Sequence, residues 1–436
     1  MRLSVTELQA ACYELEVFIH QQPVGLISST KAGFVFQYYP KVAQSDFVSL
    51  LMPVRSQPYL APQSGKLLPV FDMNLPEGSL RRRLETRFSK VVSGFNELAL
   101  LALVGRNTLG RLSFGAARQG LSPVMSLGDM VDGQDEDELL AQLYAGEALF
   151  SGVAGVQPKA LVSVNQQDIE KLSDAEAPGQ DLKSTFRTDR VIIKTGTTQT
   201  PWLAVNEFYC MLAARYSGLS VPATRLLKGG QILLIERFDL FEREDGMADF
   251  YTGAEDFCAL SAKVAEQKYE GTYERVAKVI TQFVDVSAQH QDLRQLFHSL
   301  TLSCVLRNGD AHLKNFTLLY QPSRDTADIF ARLSPAYDIC TTNVYLPADQ
   351  MALTLSGSKR YPSARQLADF GQRHCGLSMQ EIRDVFAQVG SGLHRARRDL
   401  ELYGEQHPGF AEGVGVGMQR LWQAGSEACL TLDGLH

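Results

Sequence analysis

The residues best placed to do chemistry lie in a polar turn at residues 307–316. There Asp310 and Asn315 stand five positions apart, between the apolar segments 300–306 and 316–320. A carboxylate can take the proton of an attacking hydroxyl, and a carboxamide oxygen can hold Mg²⁺ on phosphates, which is how an Asp-x4-Asn loop serves phosphoryl transfer. Because Asn, Gly and Asp are also ordinary turn residues, the motif alone only indicates this chemistry.

A second acidic residue, Asp338, follows Asp310 by 28 positions. A Mg²⁺ ion between two phosphates needs oxygen ligands, and Asp338 is the natural partner for Asn315 in that task. The alternative is that Asp338 is only a turn or cap residue.

Lys194 and Glu207 form a candidate pair for holding phosphates. Lys194 ends the apolar run Val-Ile-Ile at residues 191–193, and Glu207 follows thirteen positions later in a helical segment. That helix could turn its carboxylate towards the lysine, as phosphoryl-transfer sites require. A lysine at the exposed end of a strand is the common alternative.

Two further segments have the composition of a nucleotide site. Residues 150–159 contain two glycines ahead of an alternating strand, and glycines let main-chain N–H groups approach phosphates. Their spacing matches neither the Walker A pattern nor GxGxxG, so a hairpin turn is the alternative. The buried strand at residues 231–235 runs into a polar segment whose main chain could contact an adenine edge.

Composition sets the broad class. With 436 residues, 45% hydrophobic and 21% charged, the chain should form two or three globular domains. A net charge of −7 gives no global attraction to nucleic acid. The seven cysteines are scattered singly, which favours neither zinc nor disulfides and fits a reducing compartment. With no signal-peptide pattern and no apolar run of membrane-spanning length, we expect a cytoplasmic protein with no membrane partner.

Periodicity predicts the elements that position these residues. Residues 1–14 read as a helix with Thr6 as N-cap, residues 16–39 as an antiparallel meander, residues 71–103 as mainly helical and residues 111–114 as a strand. Beyond residue 255 helices are predicted near 272–289, 291–306, 378–405 and 411–430, with strands at 317–320 and 351–355. Strand-rich sequence therefore precedes the hinge segment, and helix-rich sequence follows it.

The order of these motifs resembles the HipA-type serine/threonine kinases, the toxins of bacterial toxin–antitoxin pairs, along nearly the whole chain. The most specific blocks are Gly-Val-Gln-Pro-Lys at residues 155–159 and Asp-Ala-His-Leu-Lys-Asn at residues 310–315; residues 71–76 carry the resemblance in the N-terminal part. It implies an α+β, two-lobed protein-kinase-like fold with an additional small α/β N-terminal subdomain. The expected parts are residues 15–115 for the subdomain, 116–240 for the N-lobe and 241–436 for the helical C-lobe.

The resemblance also implies roles for individual residues. Asp310 is the catalytic base, His312 orders its loop, Asn315 and Asp338 hold Mg²⁺, and Lys194, paired with Glu207, contacts the phosphates of ATP. The remaining nucleotide-binding residues are those of the loop over the phosphates and of the hinge, namely Val153, Ala154, Gly155, Val156, Gln157, Lys159, Glu236 and Phe238.

Partners follow from the same resemblance. Family members use Mg-ATP to phosphorylate a protein, in known cases an aminoacyl-tRNA synthetase, and thereby arrest growth. A small helix-turn-helix antitoxin, HipB-like, holds them and binds operator DNA, so any contact with DNA is indirect.

One position departs from the family pattern. Members commonly carry a serine where Gly152 stands, and autophosphorylation there ejects the phosphate loop and switches the kinase off. Here the nearest hydroxyl is Ser151, displaced by one residue, which in a strand-like loop turns the side chain to the opposite face. Our hypothesis is that self-inactivation is absent or altered, with Ser151 as the candidate autophosphorylation site.

Two alternatives stay open. One is a catalytically weak binding module that contributes to antitoxin-mediated repression, although such a protein should have lost at least one of Lys194, Asp310, Asn315 and Asp338. The other is a small-molecule kinase of the aminoglycoside or choline type, which has no counterpart to the N-terminal subdomain.

Overall fold

The computed structural model describes residues 3–117, 124–127, 152, 159–174, 177–181, 186–241, 250–322 and 329–432. The strands in these residues are β1 (Glu14–Ile19), β2 (Gln22–Thr30), β3 (Gly33–Tyr38), β4 (Tyr59–Leu60), β5 (Leu112–Phe114), β6 (Val124–Met125), β7 (Lys159–Val164), β8 (Val191–Thr195), β9 (Thr224–Leu227), β10 (Ile232–Glu236), β11 (Leu240–Phe241), β12 (Phe250–Tyr251), β13 (Gly253–Asp256), β14 (Thr317–Pro322) and β15 (Ile329–Leu333). The α-helices are α1 (Val5–Ala11), α2 (Pro69–Asp72), α3 (Gly78–Phe88), α4 (Glu97–Val104), α5 (Gln166–Leu172), α6 (Leu203–Tyr216), α7 (Phe257–Leu260), α8 (Tyr273–Phe283), α9 (Val286–Val305), α10 (Ala364–Cys375), α11 (Met379–Gln406), α12 (Pro408–Phe410) and α13 (Val416–Leu430).

The N-terminal subdomain is built on a five-stranded sheet in the order β4-β3-β2-β1-β5. The predicted meander is confirmed as β1, β2 and β3, which pair antiparallel. The predicted N-cap at Thr6 is wrong, because α1 begins at Val5 and its N-cap is Ser4, two residues before Thr6. Ser4 accepts a hydrogen bond from the Glu7 N–H, and the Glu7 carboxylate accepts one from the Ser4 N–H, so this reciprocal box satisfies two helix-end donors.

The second five-stranded sheet, in the order β6-β7-β8-β10-β9, is a layer shared by two hydrophobic cores. Ile192 and Ile235 on one face pack with α6 and the C-lobe. Ile193 and Leu234 on the other face pack with the core of the N-terminal subdomain. A sheet covered on both sides explains why its strands are nearly continuous apolar runs.

Helices dominate the C-lobe, as the sequence predicts. The predicted helix at 272–289 is in fact two, since α8 ends at Phe283 and α9 starts at Val286 with Asp285 as its N-cap. The strand predicted at 351–355 is wrong, because its residues make only isolated bridges, and α10 was not predicted. No helix in the described ranges has both the length and the apolar content that crossing a membrane demands.

Glu255 joins the N-terminal subdomain to the C-lobe. Its carboxylate is almost fully buried and accepts hydrogen bonds from the Ser49 hydroxyl at 2.6 Å, the Leu50 N–H at 2.7 Å and the Tyr320 hydroxyl at 2.8 Å. Two of these donors come from the N-terminal subdomain, about 200 positions away in sequence. Burying a carboxylate is costly unless such donors satisfy it, so the contact fixes how the two parts sit.

We expect Glu255→Ala to lower the free energy of unfolding by roughly 2–4 kcal/mol, because three donors would lose their acceptor in a buried place. Urea denaturation followed by circular dichroism measures this. The matched control is Glu16→Ala, which should change stability by about 0.5 kcal/mol, because the Glu16 carboxylate accepts a hydrogen bond from the Tyr39 hydroxyl at an exposed site. Equal effects in the two variants would contradict this account of Glu255.

Candidate functional site

A cavity lies between the strand-rich and helical halves and contains about 900 Å³ of space, partly open to solvent. One set of lining residues is apolar and lies around the end of β10: Leu109, Ile192, Ile235, Phe238 and Tyr337. The other set is charged or polar: Lys159, Lys194, Lys268, His312, Lys314, Asn315 and Asp338. This combination suits a ligand with one flat apolar group and one strongly anionic group.

Lys194 is at the centre of the charged set. Its Nζ lies 2.5 Å from Glu207 Oε1 on α6 and 2.5 Å from Asp338 Oδ1. On the neighbouring strand Lys159 is the direct register partner of Lys194, and its Nζ lies 3.6 Å from Asp338 Oδ2. The structure therefore brings together four residues that the sequence assigns to the nucleotide and metal site.

Two members of this group, Lys194 and Asp338, are held in their charged forms by their neighbours. Burial would lower the pKa of Lys194, but Asp338 and Glu207 outweigh it and hold that pKa above its ordinary value. Burial would likewise raise the pKa of Asp338, but Lys159 and Lys194 keep it well below its usual range. Asp338 is thus an ionised carboxylate, and its φ of +58° is a conformation that non-glycine residues adopt only when their surroundings impose it.

The loop carrying Asp310 links α9 to β14 and is fixed through its main chain. The Gly309 N–H donates to Thr342 Oγ1 at 2.7 Å, and the Asp310 N–H donates to Asn308 Oδ1 at 3.1 Å. A Cβ atom on Gly309 would lie 2.0 Å from a carboxylate oxygen of Asp349, so only glycine fits there. The polar turn predicted from the sequence is therefore a loop whose main chain is held by hydrogen bonds to neighbouring side chains.

Asp310 and Asn315 are held together within this loop. Asn315 Nδ2 donates to the Asp310 carbonyl at 2.7 Å, which leaves the Asn315 Oδ1 atom for another partner. The Asp310 side chain is 43% exposed, and its Oδ1 accepts a hydrogen bond from the Tyr269 hydroxyl at 2.6 Å. Burial raises the pKa of Asp310 to about 6, with Tyr269 opposing the rise and Asp338 adding to it. Asp310 does not line the cavity itself, but Asn315 does.

His312 is buried beside Asp310 and lines the cavity. Its Nε2 atom lies 3.8 Å from Asp310 Oδ1, and its buried Nδ1 atom has no hydrogen-bond partner among the described residues. Burial, helped by Lys268, lowers the pKa of His312 to about 3, so the ring is neutral. A neutral imidazole packed under the loop is consistent with an ordering role.

The oxygen donors present fit a Mg²⁺ ion. Asn315 supplies a carboxamide oxygen whose amide nitrogen is already engaged, and Asp338 supplies an ionised carboxylate in the same cavity. Hard oxygen ligands of this type are those that Mg²⁺ prefers when it bridges phosphates. Lys159 and Lys194 beside them would complement the remaining negative charge of a nucleoside triphosphate.

At the end of β10, Glu236 and Phe238 occupy the predicted hinge. The Phe238 ring packs on Tyr337 with centroids 5.1 Å apart and lines the apolar side of the cavity. Between them the buried Arg237 donates to Asp239 and to the carbonyl of Thr108 in the N-terminal subdomain. The subdomain therefore helps to hold the hinge.

The predicted phosphate loop is only partly described. Val153, Ala154, Gly155, Val156 and Gln157, and also Ser151, lie outside the described residues. Gly152 is described: its N–H donates to the Asn107 carbonyl at 2.7 Å, and it forms a bridge with Thr108. A Cβ atom there would lie 2.7 Å from Thr108 Cγ2 and 3.1 Å from the Asn74 carbonyl oxygen, so the site favours glycine.

Sequence reasoning missed a second charge cluster beneath the loop. Lys314 Nζ lies 3.0 Å from Asp256 Oδ2 and donates to the Met73 carbonyl, while Lys268 Nζ donates to Glu77 at 2.7 Å. The only signal available was that residues 71–76 resemble the family, which marked the segment without giving its contacts. Nothing in the sequence around Tyr269 pointed to Asp310.

The chain resembles known proteins over most of its length. Residues 15–115 match the family model for the HipA N-terminal domain, and residues 151–396 match the model for the HipA-like C-terminal domain. Two proteins of Sinorhizobium fredii are similar over most of their length. “Putative kinase Y4dM” is 27% identical over 369 residues, 79% of this chain and 81% of that protein. “Putative kinase Y4mE” is 28% identical over 352 residues, 77% of this chain and 78% of that protein.

A solved structure shares the fold. It is the complex of HipA, HipB and operator DNA from the toxin–antitoxin system of Shewanella oneidensis MR-1, in which the matching chain is 19% identical. The match has a TM-score of 0.63 and covers 94% of this chain and 97% of that chain. Together with the family models, which cover more than half of the sequence, this means that the chain belongs to the HipA family and has its α+β, two-lobed kinase-like fold.

Proposed function

We propose that this chain is a Mg-ATP-dependent serine/threonine protein kinase. The observation that carries the proposal is that Lys194, paired with Glu207, faces Asp338 and Asn315 in one cavity whose loop also holds Asp310. These side chains come from a strand, a helix and two loops of both lobes. A catalytically idle member would have no reason to keep all of them, and the N-terminal subdomain argues against a small-molecule kinase.

In the proposed reaction the acceptor hydroxyl oxygen attacks the γ-phosphorus of ATP. The new O–P bond forms as the bond to the bridging oxygen of ADP breaks, and the proton of the hydroxyl passes to Asp310. Lys194, held by Glu207, and Lys159 would bind the phosphates, and the family resemblance implies that the loop from Val153 to Lys159 covers them. When bound, Mg²⁺ held by Asn315 and Asp338 neutralises charge on the phosphates. Catalysis then comes mainly from positioning and electrostatics.

The adenine would lie on the apolar side of the cavity. Ile192 and Ile235 face each other on adjacent strands there, and the Phe238 ring packs on the Tyr337 ring at a tilt of 34°. The main chain of Glu236 and Phe238 would contact the adenine edge. The Phe238 N–H has no acceptor among the described residues, so it could donate to the adenine.

We propose that the partner of this chain is a HipB-like helix-turn-helix antitoxin. The antitoxin would bind DNA, and this chain would contact DNA only through it. The Shewanella complex, which contains HipA, HipB and operator DNA, supports this assignment by analogy. The acceptor would be a protein in the cytoplasm, and the family resemblance points to an aminoacyl-tRNA synthetase whose modification arrests growth.

Replacing Asp310 by Asn, or Asn315 by Ala, should reduce phosphate transfer at least about 100-fold while the circular dichroism spectrum is unchanged, because the proton acceptor or a metal ligand is lost. Phosphoproteomics of cells expressing each form, compared with the unaltered chain, provides the measurement. Asp369→Asn on the exposed face of α10 is the matched control and should behave like the unaltered chain. Near-normal transfer in both site variants would refute the assignment.

Lys194→Met should weaken the binding of Mg-ATP at least about tenfold, since one charge-assisted contact to phosphate is removed from a buried site. Isothermal titration calorimetry measures the dissociation constant directly and needs no protein acceptor. Lys171→Met, at an exposed position on α5, is the control. An unchanged dissociation constant for Lys194→Met would show that the lysine does not contact the nucleotide.

We expect no stoichiometric phosphate on Ser151 after incubation with Mg-ATP, because the usual serine position is Gly152, which is packed against Thr108 and Asn74. Phosphopeptide mapping by mass spectrometry tests this, with the Asp310→Asn form as the blank. Full occupancy of Ser151 in the active chain alone would overturn the hypothesis that self-inactivation is altered.

A further inference from the structure

The side chain of Tyr269 is bonded to the proposed catalytic base. Its hydroxyl donates to Asp310 Oδ1 at 2.6 Å. In the reaction proposed above, a serine or threonine hydroxyl must make the same kind of bond, donating its proton to that carboxylate. The Tyr269 hydroxyl therefore occupies the place at Asp310 where the hydroxyl of a phosphate-accepting serine or threonine would have to lie.

Tyr269 is held in this place by its neighbours. Its ring meets the ring of His312 edge-on with centroids 5.0 Å apart, and Lys268 Nζ lies 5.4 Å from the ring centroid. Burial and the adjacent Asp310 raise the pKa of Tyr269 above its ordinary value, so the hydroxyl keeps its proton and acts as a donor. The residue is still 41% exposed, so an incoming polypeptide can reach it.

The segment before Tyr269 is fastened to the N-terminal subdomain at several points. The Ala265 N–H donates to Asp72 at 2.6 Å, Glu266 pairs with Lys66 at 2.5 Å, and Lys268 pairs with Glu77 at 2.7 Å. Tyr269 follows directly in the chain, so these contacts hold the main chain just before it. The N-terminal subdomain therefore helps to place Tyr269 beside Asp310, the proposed catalytic base.

We propose that Tyr269 is a specificity-determining residue that occupies the acceptor position on Asp310 until a protein substrate displaces it. The inference rests on the proposed kinase function. Displacement costs one hydrogen bond to a charged group, and only an acceptor with further contacts around the cleft recovers that cost. Water and small hydroxyl compounds make no such contacts, so the tyrosine favours proteins as acceptors.

The substitution Tyr269→Phe removes the hydroxyl and keeps the ring between His312 and Lys268. With dephosphorylated casein as a general serine/threonine probe, we expect a roughly fivefold to tenfold lower dissociation constant and KM for casein, with the KM for ATP unchanged. Fluorescence anisotropy of labelled casein, with Mg²⁺ and a non-hydrolysable ATP analogue, gives the dissociation constant without any transfer. Tyr39→Phe is the matched control, since the Tyr39 hydroxyl also donates to a carboxylate, Glu16, at 2.8 Å in the N-terminal subdomain.

A double-mutant comparison separates this role from a structural one. In an Asp310→Ala background Tyr269→Phe should no longer change the dissociation constant for casein, because the hydroxyl has no carboxylate to cover. Unchanged or absent casein binding by Tyr269→Phe overturns the proposal. A lower kcat with unchanged casein binding also overturns it, since the tyrosine would then be orienting the base. If no form transfers phosphate, the proposed kinase function fails and the acceptor role of Tyr269 fails with it; tighter casein binding by Tyr269→Phe would then show only that the tyrosine hydroxyl keeps a protein chain from Asp310.

Discussion

The ion group around Lys194 is the constraint on which the rest of the site depends. Two lysines face each other on adjacent strands, and two like charges in a buried place repel strongly. Asp338 and Glu207 balance them, so two positive and two negative groups meet in one small volume. A buried ion group is stable only when every member is paired, which ties β7, β8, α6 and the segment after β15 into one arrangement.

This group also connects the two lobes at the site. Lys194 and Lys159 belong to the sheet, whereas Asp338 belongs to the C-lobe, so their attraction acts across the cleft. The left-handed backbone at Asp338 shows that the surrounding structure imposes the position of this carboxylate. The charges that align the lobes are the same charges proposed to bind phosphate and Mg²⁺.

The N-terminal subdomain contacts both lobes around the site. It shares a hydrophobic core with the outer face of the second sheet, supplies donors to Glu255, and supports the hinge through Thr108. It also pairs with Lys268 beside Tyr269 and contacts Lys314 through Met73. A perturbation of the subdomain would therefore reach the loop that carries Asp310 by more than one contact.

The sequence by itself determined the class of fold and the order of the motifs. Two-residue alternation marked the meander, apolar runs marked the covered sheet, and helical spacing marked most of the C-lobe, because these signals are local. It failed at residues 351–355, which are largely buried but make only isolated bridges within the described part of the chain, and at α10, which it did not predict. Residue type and spacing also pointed to Lys194, Glu207, Asp310, Asn315 and Asp338, which the structure places around one cavity and its loop.

Only the tertiary structure decided what surrounds those residues. Glu77 and Lys268 are 191 positions apart, and Tyr269 and Asp310 are 41 positions apart. No periodicity links such pairs, because each is created by the docking of separately folded elements. The residue types of the candidate site are thus visible in the chain, whereas the support of its loop and the contact between Tyr269 and Asp310 depend on long-range packing.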